Sequence, residues 1–485
     1  MKTLHELFPD CPSQVEITHI AINSRECQPG SLFVCIPGVQ ADRHDFIPDA
    51  VARGASAVVV SREVPDPGVP VIRVRDCKHE LALICRRFYE APEQKLKLLG
   101  VTGTDGKTST ATILQTLLGD DHCGFIGTHG RSCRGFHGDN PNTTPDVDLL
   151  YAYFREFVDR GCDQVAMECS SEAFYRGRLW PFQFDLAIYT NVTSEHLNVH
   201  GSLENYLACK TQLFAQTKPE GYCILNLDEA HCEAFRKAAR GQLRSYGRGQ
   251  EADLRIVDFE LHPDHSQLHF RYQGQDLRFR SPLLGEFNVY NLAAALLAAL
   301  CLGVSAEEAI SRLPQVHVPG RLTMLPTGLD FYAMVDYAHT PNGIAKLLDF
   351  VKQLKIQRSI VVIGQAGERD ASKRPHVGKV LLSKASHVIL TSEDPRREDP
   401  AAICQDILSG MPEAKNYEIE LDRRRAIRRA VALARSGDIL LLLGKGNETD
   451  FYVGEGSIHL SDPEELQEAL ELRRRGLLEP AVTEG

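Results

Sequence analysis

Gly100-Val101-Thr102-Gly103-Thr104-Asp105-Gly106-Lys107-Thr108 is the stretch that decides the fold. An apolar run at 96–101 reads as a buried strand, and 108–118 reads as a helix. Between them, Gly103-Thr104-Asp105-Gly106-Lys107-Thr108 forms a tight loop. Glycine lets the backbone approach phosphate oxygens, and a helix N-terminus offers unpaired N–H groups with a favourable dipole. Lys107 would reach the outer phosphates of a nucleotide, and the Thr108 hydroxyl would face Mg²⁺. The loop is a short GxxGKT form, because the first glycine of the longer GxxxxGK[ST] pattern would fall on Val101. The same residues also read as a glycine-rich turn capped by threonine; the strand before and the helix after favour phosphate.

Outward from this loop, strands and helices alternate on both sides, the pattern of mainly parallel sheets. A chain of 485 residues exceeds one ordinary core. Breaks at Ala91-Pro92-Glu93 and Val318-Pro319-Gly320 predict three domains: 1–93, 94–319 and 320–485. The expected class is α/β, with a small N-terminal α/β domain, a central ATPase-type domain on a parallel or mixed sheet, and a Rossmann-like C-terminal domain. The first domain carries short strands at 31–36, 56–61 and 71–74, then a helix at 80–89. A net charge of -11 argues against nonspecific binding to nucleic acid or anionic membranes. Residues 1–10 are mixed and charged, and the longest charge-free apolar stretch, 292–304, is too short to span a bilayer. Fourteen cysteines at irregular spacing, without CxxC, fit a reduced cytoplasmic protein.

Several polar groups sit where strands end, the edge at which parallel α/β sheets bind ligands. Residues 163–167 read as a strand leading into Glu168-Cys169-Ser170-Ser171-Glu172, so Glu168 is a candidate Mg²⁺ ligand and Ser170 a donor to substrate. In a helix over 202–215, Leu203, Leu207, Lys210 and Phe214 share one face. A lysine on such a stripe ordinarily snorkels to solvent. Asn288 and Asn291, three apart before a helix at 292–301, can face one direction or serve as caps. In the last domain, strands at 359–363, 387–390 and 438–443 each run into a polar loop. These loops hold Arg369, then Glu393-Asp394-Pro395-Arg396, then Gly444-Lys445-Gly446-Asn447-Glu448. Loops on one sheet edge can converge, and arginines, acids and open backbone suit a zwitterion carrying an extra charged group.

From about residue 22 to 454 the chain resembles the Mur ligases, which join an amino acid to a carboxylate through an acyl phosphate. Residues 100–108 resemble their ATP loop, and Met167-Glu168-Cys169-Ser170-Ser171 their ME-x-SS motif. Residues 190–198 resemble TN-x-x-x-DHLD, with Glu195 and Asn198 in place of the aspartates, and Val335-Asp336-Tyr337-Ala338-His339-Thr340-Pro341 is a further match. The resemblance implies that His196 ligates a second Mg²⁺, and that Lys210 is carbamylated to an anion that helps hold Mg²⁺. It places Asn288 and Asn291 near adenine, Arg321 at the γ-phosphate, and Asp336 and His339 on the ribose and phosphate side. Ser24, in a uridine-like segment whose usual Asp is Asn23, would bind UDP. Asn142, Thr143, Thr144, Ser170 and Arg178 would hold the muramoyl-dipeptide. Arg369, Asp394, Pro395, Arg396, Gly444 and Glu448 would take the added amino acid, with Arg396 matching the arginine of the DNPR motif associated with meso-diaminopimelate.

The expectation is therefore an ATP- and Mg²⁺-dependent ligase of peptidoglycan precursor synthesis, cytoplasmic and monomeric, without nucleic-acid or membrane partners. It would add meso-diaminopimelate to the D-glutamate of UDP-N-acetylmuramoyl-L-alanyl-D-glutamate. Asp394 in place of asparagine would add negative charge and leave some room for L-lysine. The rivals are another ligase of the superfamily, such as folylpolyglutamate synthase, and a noncatalytic nucleotide-sugar-binding homologue.

Overall fold

The computed structural model describes residues 1–38, 42–193, 197–262, 265–320, 322–354 and 356–478. It divides into two compact units, residues 1–246 with 294–305, and residues 247–293 with 306–485.

In the first unit, four parallel strands form a small sheet in the order His19–Ala21, Ser31–Val34, Ala55–Val60, Val71–Arg73. Helix Cys77–Phe88 starts earlier than its apolar pattern suggests because the Asp76 side chain caps it, accepting from the N–H groups of Lys78 and His79. The larger sheet of this unit has a parallel centre, with Lys97–Thr102 between Gln164–Glu168 and Phe184–Tyr189. Cys123–Gly127 flanks it on one side, and Thr217–Asn226 then Gln242–Gly247 on the other, all parallel. Gly130–Cys133 and Phe136–Gly138 add an antiparallel edge. The three central strands all end at the same edge, which brings the glycine loop, Glu168 and Thr190 together.

In the second unit, Thr323–Leu325 runs antiparallel to Tyr332–Asp336, and Ile439–Leu443, Ser359–Ile363, His387–Leu390 and Tyr417–Ile419 follow in parallel. Ile439–Leu443 is five aliphatic residues, every one buried, as a strand covered on both faces requires. The unit also carries an antiparallel meander of Leu254–Leu261, Ser266–Tyr272 and Gln275–Ser281, and a hairpin of Asp450–Val453 with Gly456–His459.

The helix expected at 292–301 begins instead at Glu286 and ends at Cys301. Asn288 and Asn291 therefore lie inside it rather than ahead of it. Both are buried, and their amides find partners nearby along the chain: Asn288 Nδ2 donates to the Leu284 carbonyl, just ahead of the helix, and Asn291 Nδ2 to Asn288 Oδ1, each at 2.9 Å. No helix among the described residues is long and apolar enough to cross a membrane. All fourteen cysteines are free thiols.

Candidate active site

Helix Lys107–Leu118 has no side-chain cap; Gly106, with φ +82°, opens directly into it. Its first N–H groups are left for an anion. The loop before it is fastened from the neighbouring strand end. Thr104 N–H donates to the Asn191 carbonyl (2.8 Å), and Asp105 N–H to Asn191 Oδ1 (2.9 Å). The Thr190 hydroxyl donates to the Asp105 carbonyl (2.7 Å). A Cβ on Gly103 would lie 1.8 Å from the Thr190 hydroxyl oxygen, so glycine is required there by close approach. Lys107 Nζ folds back on the carbonyls of Gly103 (3.0 Å) and Thr104 (2.8 Å), and Thr108 is buried behind it.

Lys210 does not snorkel. On helix Leu203–Ala215 it is 1% exposed, and Nζ donates inward to the Gly103 carbonyl at 2.6 Å. The Tyr206 ring, one turn earlier, lies 4.5 Å beneath that ammonium, and its hydroxyl shares a hydrogen with Thr104 Oγ1 (3.1 Å). Thr190 and Asn191, the first two residues of the 190–198 segment, thus fasten the loop, and Tyr206 belongs to the site although its sequence context does not single it out. The available signal was the four-residue spacing from Tyr206 to Lys210.

Glu168 closes strand Gln164–Glu168, 1% exposed, and its Oε1 accepts from the Thr128 N–H at 2.7 Å. Around it the polar loop at 142–145 is held as a unit. Thr144 Oγ1 donates to the Glu168 carbonyl (2.9 Å) and meets Ser170 Oγ at 3.1 Å, while Ser170 caps helix Ser171–Tyr175. Arg178 donates to the Thr144 carbonyl (3.0 Å) and pairs with Asp146 at 2.6 Å. Thr143 meets Thr128 (3.1 Å), and Asn142 is exposed. In the small sheet's domain, Ser24 is buried and its hydroxyl helps hold the Asp49 carboxyl below the ordinary carboxylate range. His196 and Arg321 lie outside the described residues.

The second unit gathers the three loops of the last domain. Gly367 N–H donates to the Asp394 carbonyl (3.0 Å), and Arg396 Nη1 donates to the Gly367 carbonyl (2.8 Å). Asp394 and Arg396 both adopt left-handed backbone, at φ +41° and +52°, with Pro395 between them. Such strain in a non-glycine residue is typical of functional sites. Glu448 is exposed and accepts from the Tyr337 hydroxyl (2.8 Å). Asp394 does not contribute a free negative charge: it is buried, and its Oδ1 accepts from the buried Lys445 ammonium (3.3 Å) and from Tyr452 N–H (3.2 Å). That corrects the charge argument drawn from sequence, which overlooked Lys445 as a counter-ion. Arg369 is exposed. Asp336 accepts from the N–H groups of Leu322 and Ala338, each at 2.7 Å, which ties Leu322 to the strand end. His339 Nδ1 donates to the Tyr337 carbonyl (2.8 Å), a contact that orients its ring.

Three family models match in succession: Mur ligase family, catalytic domain, over residues 16–89; Mur ligase middle domain over 101–299; and Mur ligase, glutamate ligase domain over 320–446. The chain is 36% identical over 466 residues to UDP-N-acetylmuramoyl-L-alanyl-D-glutamate--2,6-diaminopimelate ligase of Listeria monocytogenes serovar 1/2a, covering 94% of this chain and 95% of that one. It is also 36% identical to the protein of that name from Bacillus cereus, with 96% of each chain covered. A solved structure of a ligase of the same name superposes with a TM-score of 0.69 at 28% identity, over 98% of this chain and 100% of that chain. The UDP-N-acetylmuramoylalanyl-D-glutamyl-2,6-diaminopimelate--D-alanyl-D-alanyl ligase of Acinetobacter baumannii shares the fold at 20% identity and a TM-score of 0.67, over 98% of each chain. By these matches over nearly its whole length, the chain belongs to the Mur ligase family.

Proposed function

We propose that this protein adds meso-diaminopimelate to UDP-N-acetylmuramoyl-L-alanyl-D-glutamate at the expense of ATP, in the cytoplasmic synthesis of peptidoglycan precursors. The observation that carries the reading is the 36% identity, over nearly full length, to proteins named for that reaction. In this reading residues 1–93 bind the uridine nucleotide with Ser24, 94–319 bind ATP, and 320–485 bind the amino acid. Asn142, Thr143, Thr144, Ser170 and Arg178 hold the muramoyl-dipeptide. Its D-glutamate γ-carboxylate takes the γ-phosphoryl group of ATP, and the amine of diaminopimelate displaces phosphate to form the amide. Lys107 leaves the Gly103 and Thr104 carbonyls for the phosphates. Asn288 and Asn291 line the adenine side, and Arg321, Asp336 and His339 the phosphate and ribose side.

The buried residues fit Mg²⁺ on one condition. Thr108 and Glu168 offer oxygen ligands, which Mg²⁺ prefers, but the Lys210 ammonium beside Gly103 would repel a cation. As a carbamate, formed from CO₂, Lys210 becomes an anion and completes the set with Thr108, Glu168 and His196. Bound there, Mg²⁺ would neutralise charge on the transferring phosphoryl group. Arg369, Arg396, Asp394 with Pro395, Gly444 and Glu448 frame the amino acid: Arg396 for its distal carboxylate, Glu448 for its distal ammonium. The enzyme acts as a monomer.

The test is ADP release from UDP-N-acetylmuramoyl-dipeptide, ATP and Mg²⁺ with a panel of amino acids. Turnover that requires both acceptor and diaminopimelate supports the reading. Turnover with L-lysine alone would reassign the amino acid, and no turnover with any amino acid would favour a noncatalytic nucleotide-sugar-binding protein.

A further inference from the structure

The three loops at 364–370, 391–396 and 444–448 rest on a layer of buried charge. Arg423, at the start of helix Arg423–Leu433, grips both oxygens of Asp462 through Nε (2.7 Å) and Nη2 (2.6 Å), and Nη2 also donates to the Leu443 carbonyl (2.9 Å). Both side chains of this pair are 0% exposed. Lys445 Nζ pairs with Asp394 (3.3 Å) and donates to the Asp450 carbonyl (2.6 Å). Each cation of the layer therefore already has its own carboxylate.

Glu393 lies in this layer without a counter-ion of its own. It is buried, and its Oε2 has no hydrogen-bond partner among the described residues. Its side chain fills space that two glycines leave open. A Cβ on Gly444 would lie 1.9 Å from Glu393 Oε2, and a Cβ on Gly364 would lie 2.6 Å from Glu393 Cβ. Gly364 follows strand Ser359–Ile363, Gly444 follows Ile439–Leu443, and Glu393 follows His387–Leu390. One carboxyl group thus spaces all three loops.

The charges facing it are Arg423 from its helix, Lys445 and Glu448 from the third loop, and Asp394 from its own loop, with Asp462 behind Arg423. Arg423 keeps one buried guanidinium nitrogen, Nη1, without a hydrogen-bond partner among the described residues, but its charge already faces Asp462; with two cations meeting three carboxylates, an ionised Glu393 would be a fourth anion in the layer. We propose that Glu393 carries a proton and acts as a positioning residue, a neutral wedge that sets the spacing of the loops that receive the incoming amino acid. This rests on the assignment of those loops to the amino acid. Burial pushes the Glu393 carboxyl up to about 8; Arg423 and Lys445 oppose the shift, and Asp394 and Glu448 add to it. Above that pH the wedge becomes an anion in the layer under the loops and opposes binding of the substrate's distal carboxylate.

The experiment compares wild type with Glu393→Gln and Glu393→Ala. Glutamine keeps the shape and is neutral at every pH. Between pH 7 and pH 9 the ratio of wild-type to Glu393→Gln KM for diaminopimelate should rise by about threefold or more, while the same ratio for ATP stays flat. Ionisation of the substrate amine cancels in that ratio. Glu393→Ala should raise KM at both pH values, and glutamine should rescue it at pH 7. A Glu393→Gln variant that loses about tenfold in KM at pH 7, or a ratio that does not change with pH, overturns the proposal, because Glu393 would then work as an anion or not at all.

A second readout needs no turnover. Folded wild type retains a proton that the unfolded chain releases as pH rises above the ordinary carboxylate value, so its Tm should fall relative to Glu393→Gln from pH 5 to pH 9. Parallel Tm profiles would overturn the proton even in a protein that uses no diaminopimelate. Diverging profiles in such a protein would leave the proton standing and discard only the amino-acid assignment of the loops.

Discussion

Lys107 and Lys210 donate to the same acceptor, the carbonyl oxygen of Gly103, at 3.0 and 2.6 Å. One ammonium comes from the helix that follows the glycine loop and the other from helix Leu203–Ala215. Two cations on one carbonyl are a repulsive arrangement that two changes would relieve: phosphates that draw Lys107 away, or a reaction that removes the charge of Lys210. Carbamylation of Lys210 accomplishes the second and reverses its sign.

Lys210→Ala is therefore expected to abolish ADP release, and bicarbonate or a short carboxylic acid should restore part of it by replacing the missing anion. Mass analysis of the intact protein in CO₂-equilibrated buffer checks the modification directly. A Lys210→Ala enzyme with near-normal turnover would show that the buried amine only fastens Gly103.

For Lys107 the expected result is loss of chemistry without loss of fold. Its contacts are to two loop carbonyls that Lys210 and Asn191 also help to fix, so Lys107→Ala should unfold within a few degrees of wild type. A preorganised contact to the transferring phosphate is worth about 3–4 kcal/mol of barrier, so kcat should fall by roughly a hundredfold or more. Turnover close to wild type in a folded variant would remove the glycine loop from the ATP site.

The pH dependence of stability has a second source in Asp148. It lies in the first turn of helix Val147–Asp159 with Oδ1 buried and unpartnered among the described residues. Burial, then the charge of Asp146, push its carboxyl up to about 6, and Arg178 is committed to Asp146. The folded state thus holds a proton that the unfolded chain gives up near the ordinary aspartate value. That costs stability progressively as pH rises through this window, and the full cost is present above about pH 6. Asp148→Asn should stabilise the protein at pH 7.5 by about 2–3 kcal/mol and by almost nothing near pH 4. Denaturant unfolding at the two pH values measures the difference, and an equal effect at both would mean that Asp148 is not the titrating group.

Sequence and structure agree most closely where a chemical feature is local. The strand, glycine loop and helix around Lys107 are written in nine consecutive residues, and the strands at 359–363 and 387–390 have the expected bounds. What the sequence concealed are partners distant along the chain. Asp394 reads as an added negative charge until Lys445, 51 residues away, is found on it. Lys210 reads as a snorkelling lysine because its acceptor, the Gly103 carbonyl, is 107 residues away and belongs to backbone. Asn288 and Asn291 read as caps because asparagine is a poor helix former; inside the helix their amides find partners within four residues, which removes that penalty.

The choice of amino acid turns on Arg396, and the Asp394–Lys445 pair sharpens it. Had Asp394 been an unpaired carboxylate, it would have favoured a simple ammonium and so L-lysine. Its charge is taken up by Lys445, which leaves Arg396 and the exposed Arg369 as the cations of these loops and Glu448 as an exposed carboxylate. Arg396 is half-buried, held by its own backbone to Tyr452 and Gly454 and by Nη1 to the Gly367 carbonyl. Its remaining guanidinium donors can grip a carboxylate in a planar pair, which the lone ammonium at the end of lysine cannot answer. The expected outcome is a preference for diaminopimelate over L-lysine in kcat/KM of at least about tenfold, or roughly 1.4 kcal/mol. Arg396→Ala should erase most of it by weakening diaminopimelate use while KM for ATP is unchanged. Asp394→Asn should remove one of the two carboxylates near Lys445, leaving Glu448 at 4.0 Å, so the local charge becomes more positive and the preference for the dicarboxylate should persist or grow. Equal use of the two amino acids by wild type, or an unchanged ratio in Arg396→Ala, would refute the assignment of Arg396 and leave the ligase reaction standing.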